Sequence, residues 1–214
     1  MTDAEADAVA RRLPLPSFRN VIDICCGRGR HAARLSERGY NVTGIDVDED
    51  SLRLARERVP GASFERMDVR AVDGSGWRFD GAIILWQSFG YFAPNENDRV
   101  LTAIFSVLRP GGRLLLDVFH PEYFRRRQGA RSTLPSGVRA IEDRFEGDRL
   151  HSEITYKDGS IDSMDFEIFA PDELASRARG AGFQLLEGCC WWDSARPPDP
   201  NQARYQLTLE RSPA

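Results

Sequence analysis

The chain has 214 residues, of which 41% are hydrophobic and 29% charged, so it can bury a core and is not intrinsically disordered. Its net charge of −4 comes from 33 acidic and 29 basic side chains, and every basic residue except Lys157 is an arginine. These arginines are scattered among acids, which argues against a nucleic-acid surface. No stretch reaches the ~18 apolar residues of a membrane helix. The N-terminal segment does not resemble a secretory signal, so we expect a cytoplasmic protein with no membrane partner.

Residues 20–119 alternate apolar segments with amphipathic ones, a pattern typical of parallel βαβ units. The predicted strands are 21–26, 41–47, 62–70, 79–87 and 113–119. The predicted helices are 31–39, 49–58 and a third that Asn95 caps. LRPGG (108–112) separates the third helix from the fifth strand.

After Phe119 the pattern changes to three alternating polar and apolar segments within 138–169, joined by turns at EGD and KDG. Pro171 opens another helix, and two strands follow at 183–192 and 203–211. The predicted fold class is α/β: a Rossmann-like, doubly wound, seven-stranded sheet, mostly parallel with a C-terminal antiparallel hairpin. An antiparallel β-meander is inserted after the fifth strand. We expect one domain over 1–214, with a cofactor-binding core at 20–119, the insertion at 138–169, and the C-terminal helix and hairpin at 171–211.

Polar side chains follow the first three predicted strands. Asp23-Ile-Cys-Cys-Gly27-Arg-Gly29-Arg30 runs from a strand through a glycine turn into a helix, where backbone N–H groups can meet a ligand. An ordinary tight turn explains this motif equally well. Asp46 ends the second strand, where a carboxylate can accept hydrogen bonds from both ribose hydroxyls. Asp68 follows the third strand and could accept from the amino group of adenine.

Gly27, Gly29 and Asp46 also fit a dinucleotide-binding pattern loosely, so an NAD-type oxidoreductase is one alternative. Asp23 argues against it, because a carboxylate at that position would repel a diphosphate and would suit an ammonium group. S-Adenosylmethionine carries an ammonium, a ribose and an adenine without a phosphate. A second alternative is a protein that binds an adenosyl ligand without turnover.

The segments VIDICCGRGRHAARLSERGYNVTGIDV, FERMDVR and LRPGGRLLLDVF resemble class I S-adenosylmethionine-dependent methyltransferases of the small-molecule type. The resemblance covers about residues 20–119 and the C-terminal hairpin. It implies that the cofactor S-adenosylmethionine is bound by Asp23, Cys25, Gly27, Gly29, Arg30, Asp46, Val47, Asp68, Val69, Leu85 and Trp86. Cys25 stands where the family usually has glycine, and its Cβ should be tolerated if φ stays negative.

The segment LWQSFGYF (85–92) bears on which kind of molecule accepts the methyl group. This segment lacks the Asn/Asp-Pro-Pro-Tyr of family members that alkylate bases or glutamine. Metal-dependent catechol-type enzymes need acids there, and this chain has Trp86 and Gln87 instead. The resemblance therefore implies metal-independent methyl transfer, by in-line displacement, to a nitrogen or oxygen of a small molecule. The two candidate catalytic residues are His120 and Tyr91. His120 would act as a base if the acceptor is a hydroxyl. Tyr91 is either a catalytic group or a wall of the pocket. The insertion would act as a lid or as the surface of a homodimer.

The four cysteines form two adjacent pairs, Cys25-Cys26 and Cys189-Cys190, without CxxC spacing. That spacing is poor for structural zinc, so we expect packing residues and no metal site.

Overall fold

The computed structural model describes residues 2–128, 131–132 and 137–212. Residues 1 and 213–214 of the expected domain lie outside these ranges. The α-helices are α1 (Thr2–Arg12), α2 (Arg30–Glu37), α3 (Glu49–Arg58), α4 (Pro94–Val107), α5 (Pro121–Arg125) and α6 (Pro171–Gly180). The strands are β1 (Asn20–Ile24), β2 (Asn41–Asp46), β3 (Ser63–Arg66), β4 (Phe79–Ile84), β5 (Leu108–Phe119), β6 (Arg131–Ser132), β7 (Val138–Glu146), β8 (Arg149–Tyr156), β9 (Ile161–Glu167), β10 (Phe183–Cys189) and β11 (Arg204–Arg211).

Seven strands form one sheet in the order β10-β11-β5-β4-β1-β2-β3. Strands β1 to β5 pair in parallel, while β11 pairs antiparallel with both β5 and β10. The predicted fold class is confirmed. The strand order reverses between β1 and β4, and ligands of open α/β sheets bind at such a switch point, beyond the carboxyl ends of the strands.

Alternate residues of the central strands pack on opposite faces of this sheet. Val21, Ile83 and Leu115 face a core that α1, α2 and α3 cover. Ile22 and Leu114 face a second core that α4 and α6 cover. Both faces of the parallel strands are therefore buried, which explains why their sequences read as nearly continuous apolar runs.

Strands β6 to β9 form a second, four-stranded antiparallel sheet. It has a small apolar cluster of its own, which includes Phe124, Leu150 and Phe166. The predicted turns at 146–148 and 157–159 connect β7 to β8 and β8 to β9, as expected.

Several element boundaries differ from the prediction. Strand β5 begins at Leu108, which pairs with Phe79 ahead of a register irregularity. Helix α4 begins at Pro94 with Ala93 as N-cap, so the prediction that Asn95 caps it was wrong; proline's fixed φ suits the first helical position. A 3₁₀ helix, missed from the sequence, follows β3 at Val69–Ser75.

Candidate functional site

The turn between β1 and α2 has a left-handed backbone at three positions. Gly27 has φ 50° and Gly29, the N-cap of α2, has φ 68°. A Cβ on Gly29 would lie 3.0 Å from the Ala55 side chain, so glycine fits both the conformation and the space there. Cys25 has φ 57°, so a negative φ, the condition under which its Cβ should be tolerated, is not met. The turn imposes the glycine-like conformation although the residue carries a Cβ.

Asp46, at the end of β2, fixes this turn. Its Oδ2 accepts a hydrogen bond from the Gly27 backbone N–H at 2.8 Å, and its Oδ1 accepts from the Asp48 N–H at 3.0 Å. A carboxylate has about four lone-pair positions, so the same group keeps acceptor capacity for a ligand.

A cavity of about 460 Å³, which we call the Asp46 cavity, opens beyond β1, β2 and β3. Its walls are mainly apolar, with carboxylates at one side. It is lined by Ile24, Cys25, Ile45, Asp46, Val47, Met67, Asp68, Val69, Ser88, Tyr91 and Phe92. Asp68 is held by Arg70, whose guanidinium hydrogen bonds lower the pKa of this carboxyl. The cavity thus contains Asp46, Val47, Asp68 and Val69, the residues predicted for ribose and adenine.

A second cavity, the Asp23 cavity, has a volume of about 450 Å³ and shares Cys25 and Ser88 with the first. It is polar and is lined by Asp23, Cys25, Cys26, Gly27, Arg28, Arg30, His31, Arg58, Leu85, Trp86 and Ser88. Of the predicted cofactor residues, only Gly29 lines neither cavity. Gly29 instead forms the N-cap of α2.

Asp23 carries the unusual electrostatics of this cavity. Its carboxylate is 2% exposed, and Oδ2 has no hydrogen-bond partner within the part of the chain that the structure describes. Burial raises the Asp23 pKa to about 6, although His31 and Arg30 act in the opposite direction. An ammonium group at Oδ2 would supply the missing donor and favour the ionised form. The residues present therefore fit the amino-acid end of S-adenosylmethionine.

Trp86 forms a wall of the Asp23 cavity, and its backbone is left-handed with φ 61°. Its ring lies between two guanidinium groups, 4.6 Å from Arg30 and 4.0 Å from Arg204. The indole Nε1 donates to Glu5 Oε1 at 2.8 Å, and the backbone N–H donates to Asp117 Oδ2 at 3.2 Å. The strained conformation is therefore held by charged groups from four separate elements.

Glu5 connects this wall to His31. The Glu5 carboxylate lies 3.0 Å from His31 Nε2, and both side chains are buried. Burial opposes ionisation of Glu5, but hydrogen bonds from His31 and Trp86 lower its pKa. Helix α1 is thereby fixed against the Asp23 cavity.

The two candidate catalytic residues lie in different surroundings. Tyr91 lines the Asp46 cavity, and its ring contacts Phe166 of the second sheet at 4.9 Å between centroids. Partial burial raises the pKa of Tyr91 to about 12, so the phenol is neutral at pH 7. His120 lines neither cavity. Its ring is buried beside Tyr205, and burial lowers its pKa. The structure brings Tyr91 to the cleft and leaves His120 outside it.

Glu5, Asp117 and Arg204 were missed by sequence reasoning. Asp117 had a readable signal, a lone acid inside the apolar strand RLLLDVF. It is 1% exposed and is bound by Arg204 Nη1 at 2.5 Å and Gln206 Nε2 at 2.8 Å. Glu5 and Arg204 gave no such signal, because each meets its partners only through the tertiary fold.

In 2–128, 131–132 and 137–212, no three His, Cys, Asp or Glu side chains are grouped so that they could hold a metal ion. None of the helices in those ranges combines the length and the apolar character needed to span a membrane.

The part of the chain that forms this cleft is similar in sequence to known methyltransferases. Residues 21–112 match a family model described as a methyltransferase domain. The YqeM protein of Bacillus subtilis is 37% identical over 109 residues, 49% of this chain and 44% of YqeM. The dTDP-3-amino-3,4,6-trideoxy-alpha-D-glucopyranose N,N-dimethyltransferase of Streptomyces venezuelae is 31% identical over 121 residues, 56% of this chain and 50% of that enzyme. The chain thus spans about half the length of these curated relatives.

The fold has solved counterparts along nearly its whole length. The SAM-bound amino pentose methyltransferase CalS10 from Micromonospora echinaspora superposes with a TM-score of 0.81 at 23% identity, covering 99% of this chain and 92% of CalS10. These matches favour the methyltransferase hypothesis over the nicotinamide alternative, as does the buried carboxylate of Asp23. The sequence match at residues 21–112 is to a methyltransferase domain, and the sheet order and the paired cavities agree with the class I, S-adenosylmethionine-dependent type.

Proposed function

We propose that this protein transfers a methyl group from S-adenosylmethionine to a nitrogen of a small molecule, without a metal. The observation that carries the proposal is the unpartnered, buried carboxylate oxygen of Asp23, in a cavity that joins the one lined by Asp46. The first offers a charge partner for an ammonium, and the second offers an acceptor for ribose hydroxyls.

When bound, S-adenosylmethionine supplies an electrophilic methyl on a sulfonium. Asp23 and Asp46 would hold its ammonium and ribose ends, and the acceptor's lone pair would bond to the methyl carbon while the C–S electron pair would go to sulfur, giving a neutral thioether. A protonated amine product then loses its proton to water. The residues of this chain have to align the two reactants and keep water out, and such alignment can contribute about 7–11 kcal/mol.

The aromatic walls and the amide of Gln87 support a metal-independent mechanism. Both ends of the Gln87 side chain are bound inside the protein: Nε2 donates to the Phe89 carbonyl at 2.8 Å, and Oε1 accepts from the Phe119 N–H at 2.5 Å. It holds the backbone of the 85–92 segment in place. Tyr91 and Phe92 then line the cleft as aromatic faces, which attract a cation such as the sulfonium.

Nitrogen is favoured over oxygen as the acceptor atom. A hydroxyl acceptor needs a base near pH 7, and His120, the candidate for that role, is buried outside both cavities. An amine that arrives unprotonated needs none. The aminosugar N-methyltransferase from Streptomyces venezuelae and the amino pentose methyltransferase CalS10 support the same choice.

Calorimetry with S-adenosylhomocysteine tests the cofactor part of the proposal. The wild-type protein should bind it, and Asp46→Ala should bind at least about tenfold more weakly, because a charged hydrogen-bond acceptor contributes about 1.5–3 kcal/mol. Asp73→Ala, outside both cavity linings, is a matched control that should bind as the wild type does. Absence of binding, or equal binding by Asp46→Ala, would contradict the proposal.

The acceptor part needs a turnover assay. We expect release of S-adenosylhomocysteine with a panel of amino sugars and other small amines, with a pH profile that rises as the amine loses its proton. Turnover with hydroxyl acceptors alone would contradict the nitrogen assignment. Binding of the cofactor with no transfer to any acceptor would favour the non-catalytic alternative.

A further inference from the structure

A third cavity, of about 250 Å³, lies between α1 and the segment that connects β10 to β11. We call it the indole cavity, since Trp191 and Trp192 form part of its lining together with Arg11, Glu5 and Arg204. It shares no lining residue with the Asp46 or Asp23 cavities. Neither the family match nor the proposed methyl transfer assigns it a role.

The two indoles are held in fixed positions. Strand β10 ends at Cys189 rather than at 192 as predicted, because Trp191 and Trp192 have left-handed backbones with φ 59° and 58°. Such conformations cost about 1–3 kcal/mol each and are concentrated at functional sites. The Trp191 Nε1 donates to Gln202 Oε1 at 3.0 Å, although its side chain is otherwise exposed. The Trp192 N–H donates to Gln206 Oε1 at 3.0 Å. Trp191 thus presents an indole surface that the core does not cover, whereas Trp192 is half-buried, packs against the core and has the Arg12 guanidinium 5.2 Å from its ring centroid.

The charges of the cavity are nearly all paired. Arg204 is bound to Asp117, and Glu5 is bound to His31 and Trp86. Arg11, in the last turn of α1, is exposed and makes no ion pair or side-chain hydrogen bond with any residue in the described ranges. Within those ranges, the single uncompensated charge of this lining is therefore a guanidinium.

We propose that the indole cavity binds a planar ring that bears a carboxylate. Flat aromatic surfaces of tryptophan stack on planar rings, and a guanidinium matches the two oxygens of a carboxylate. A volume of about 250 Å³ suits one ring with a short substituent. One unpaired positive charge balances one carboxylate, whereas a phosphate would bring a second negative charge with no partner in this lining.

This cavity has a common wall with the cofactor cleft. Glu5 lines the indole cavity, and its hydrogen-bond partners His31 and Trp86 line the Asp23 cavity. The ring could therefore belong to the methyl acceptor or to a separate ligand that alters cofactor binding through Glu5. The binding site goes beyond the proposed function and does not depend on it.

Three probes separate the features of the ligand: benzoate, its neutral methyl ester, and the non-planar cyclohexanecarboxylate. By calorimetry or ligand-observed NMR on the full chain, we expect benzoate to bind saturably and the other two at least about tenfold more weakly. Arg11→Gln and Trp191→Leu, both at exposed positions, should each weaken benzoate binding about tenfold. Arg179→Gln, an exposed arginine in the last turn of α6, is the matched control and should leave it unchanged.

The proposal is overturned if benzoate gives no saturable signal at millimolar concentration, if the ester binds equally well, or if Arg11→Gln has no effect. The two origins of the ligand are distinguished by mass spectrometry after incubation with S-adenosylmethionine and 4-aminobenzoate, which adds an amine to the same ring and carboxylate. Methylated probe identifies the acceptor site, and bound but unmodified probe identifies a separate ligand site. Calorimetry with S-adenosylhomocysteine tests the proposed function separately, so either proposal can fail without the other.

Discussion

The buried carboxylate of Asp23 gives the sharpest prediction, since it should weaken the fold and strengthen cofactor binding. Its pKa rises from an ordinary 3.8 to about 6 in the folded protein. The unfolded chain therefore ionises at lower pH than the folded one, and stability falls as pH increases from about 4 to about 6 and stays low above that. At about 1.4 kcal/mol per pKa unit, the ionised carboxylate lowers the free energy of unfolding by about 3 kcal/mol at pH 7.5.

Asp23→Asn removes this charge and nearly preserves the shape. We expect the free energy of unfolding in urea to increase by up to about 3 kcal/mol at pH 7.5, and by under about 1 kcal/mol at pH 4, in protein free of ligand. Calorimetry should show the opposite sign for binding: S-adenosylhomocysteine should bind about ten- to a hundredfold more weakly, because its ammonium loses a charged partner.

Asp80→Asn is the matched control. Asp80 also lies in a central strand, but the Asn20 N–H and the Arg109 guanidinium hold its pKa below the ordinary value despite partial burial. That substitution should decrease stability at pH 7.5 and leave ligand affinity unchanged. The reasoning is refuted if Asp23→Asn destabilises the protein at pH 7.5, or if its affinity for the ligand matches that of the wild type.

Three other substitutions or reagents test separate contacts. Trp86→Phe removes the hydrogen bond to buried Glu5 and should lower the free energy of unfolding by about 1–3 kcal/mol in urea titrations; no change would mean that water replaces the indole N–H. Gly90→Ala would bring a Cβ to 2.1 Å from a backbone oxygen of β9, so the free energy of unfolding should fall by about 3 kcal/mol or more in thermal unfolding. Gly147 is also left-handed but lies in open space, so Gly147→Ala should lower the free energy of unfolding by only about 1–2 kcal/mol. Burial raises the pKa of Cys25 to about 12, so iodoacetamide should label it roughly a thousandfold more slowly than a free cysteine in mass-spectrometric time courses; rapid labelling would show that the thiol ionises readily.

The positions of the three carboxylates proposed to bind the cofactor were predictable because parallel strands align their carboxyl ends. Once β1, β2 and β3 are recognised as neighbours, Asp23, Asp46 and Asp68 must come to the same edge of the sheet, and the structure has them there. The predicted strands and the meander follow from hydrophobic periodicity alone.

What could not be predicted depends on backbone strain or on distant contacts. Cys25 and Trp86 adopt conformations that their side chains disfavour, and local propensity predicts the opposite. Helix α1 is rich in alanine and acids and gave no motif, yet its Glu5 completes the wall of the Asp23 cavity. No local pattern links Glu5 to Trp86, which lies 81 positions further along the chain.

The junction between the second sheet and the 85–92 segment has a consequence for protein engineering. The Glu167 N–H donates to the Gly90 carbonyl at 2.8 Å, and Arg149 Nη1 donates to the Phe92 carbonyl at 2.9 Å. Asn97 binds both Phe92 and Glu167. A loop transplanted alone from a relative would leave these donors facing foreign backbone. Exchanging the loop, β8 and β9 together with Asn97 of α4 keeps these partners, so that combination is the module for building chimaeras on this scaffold.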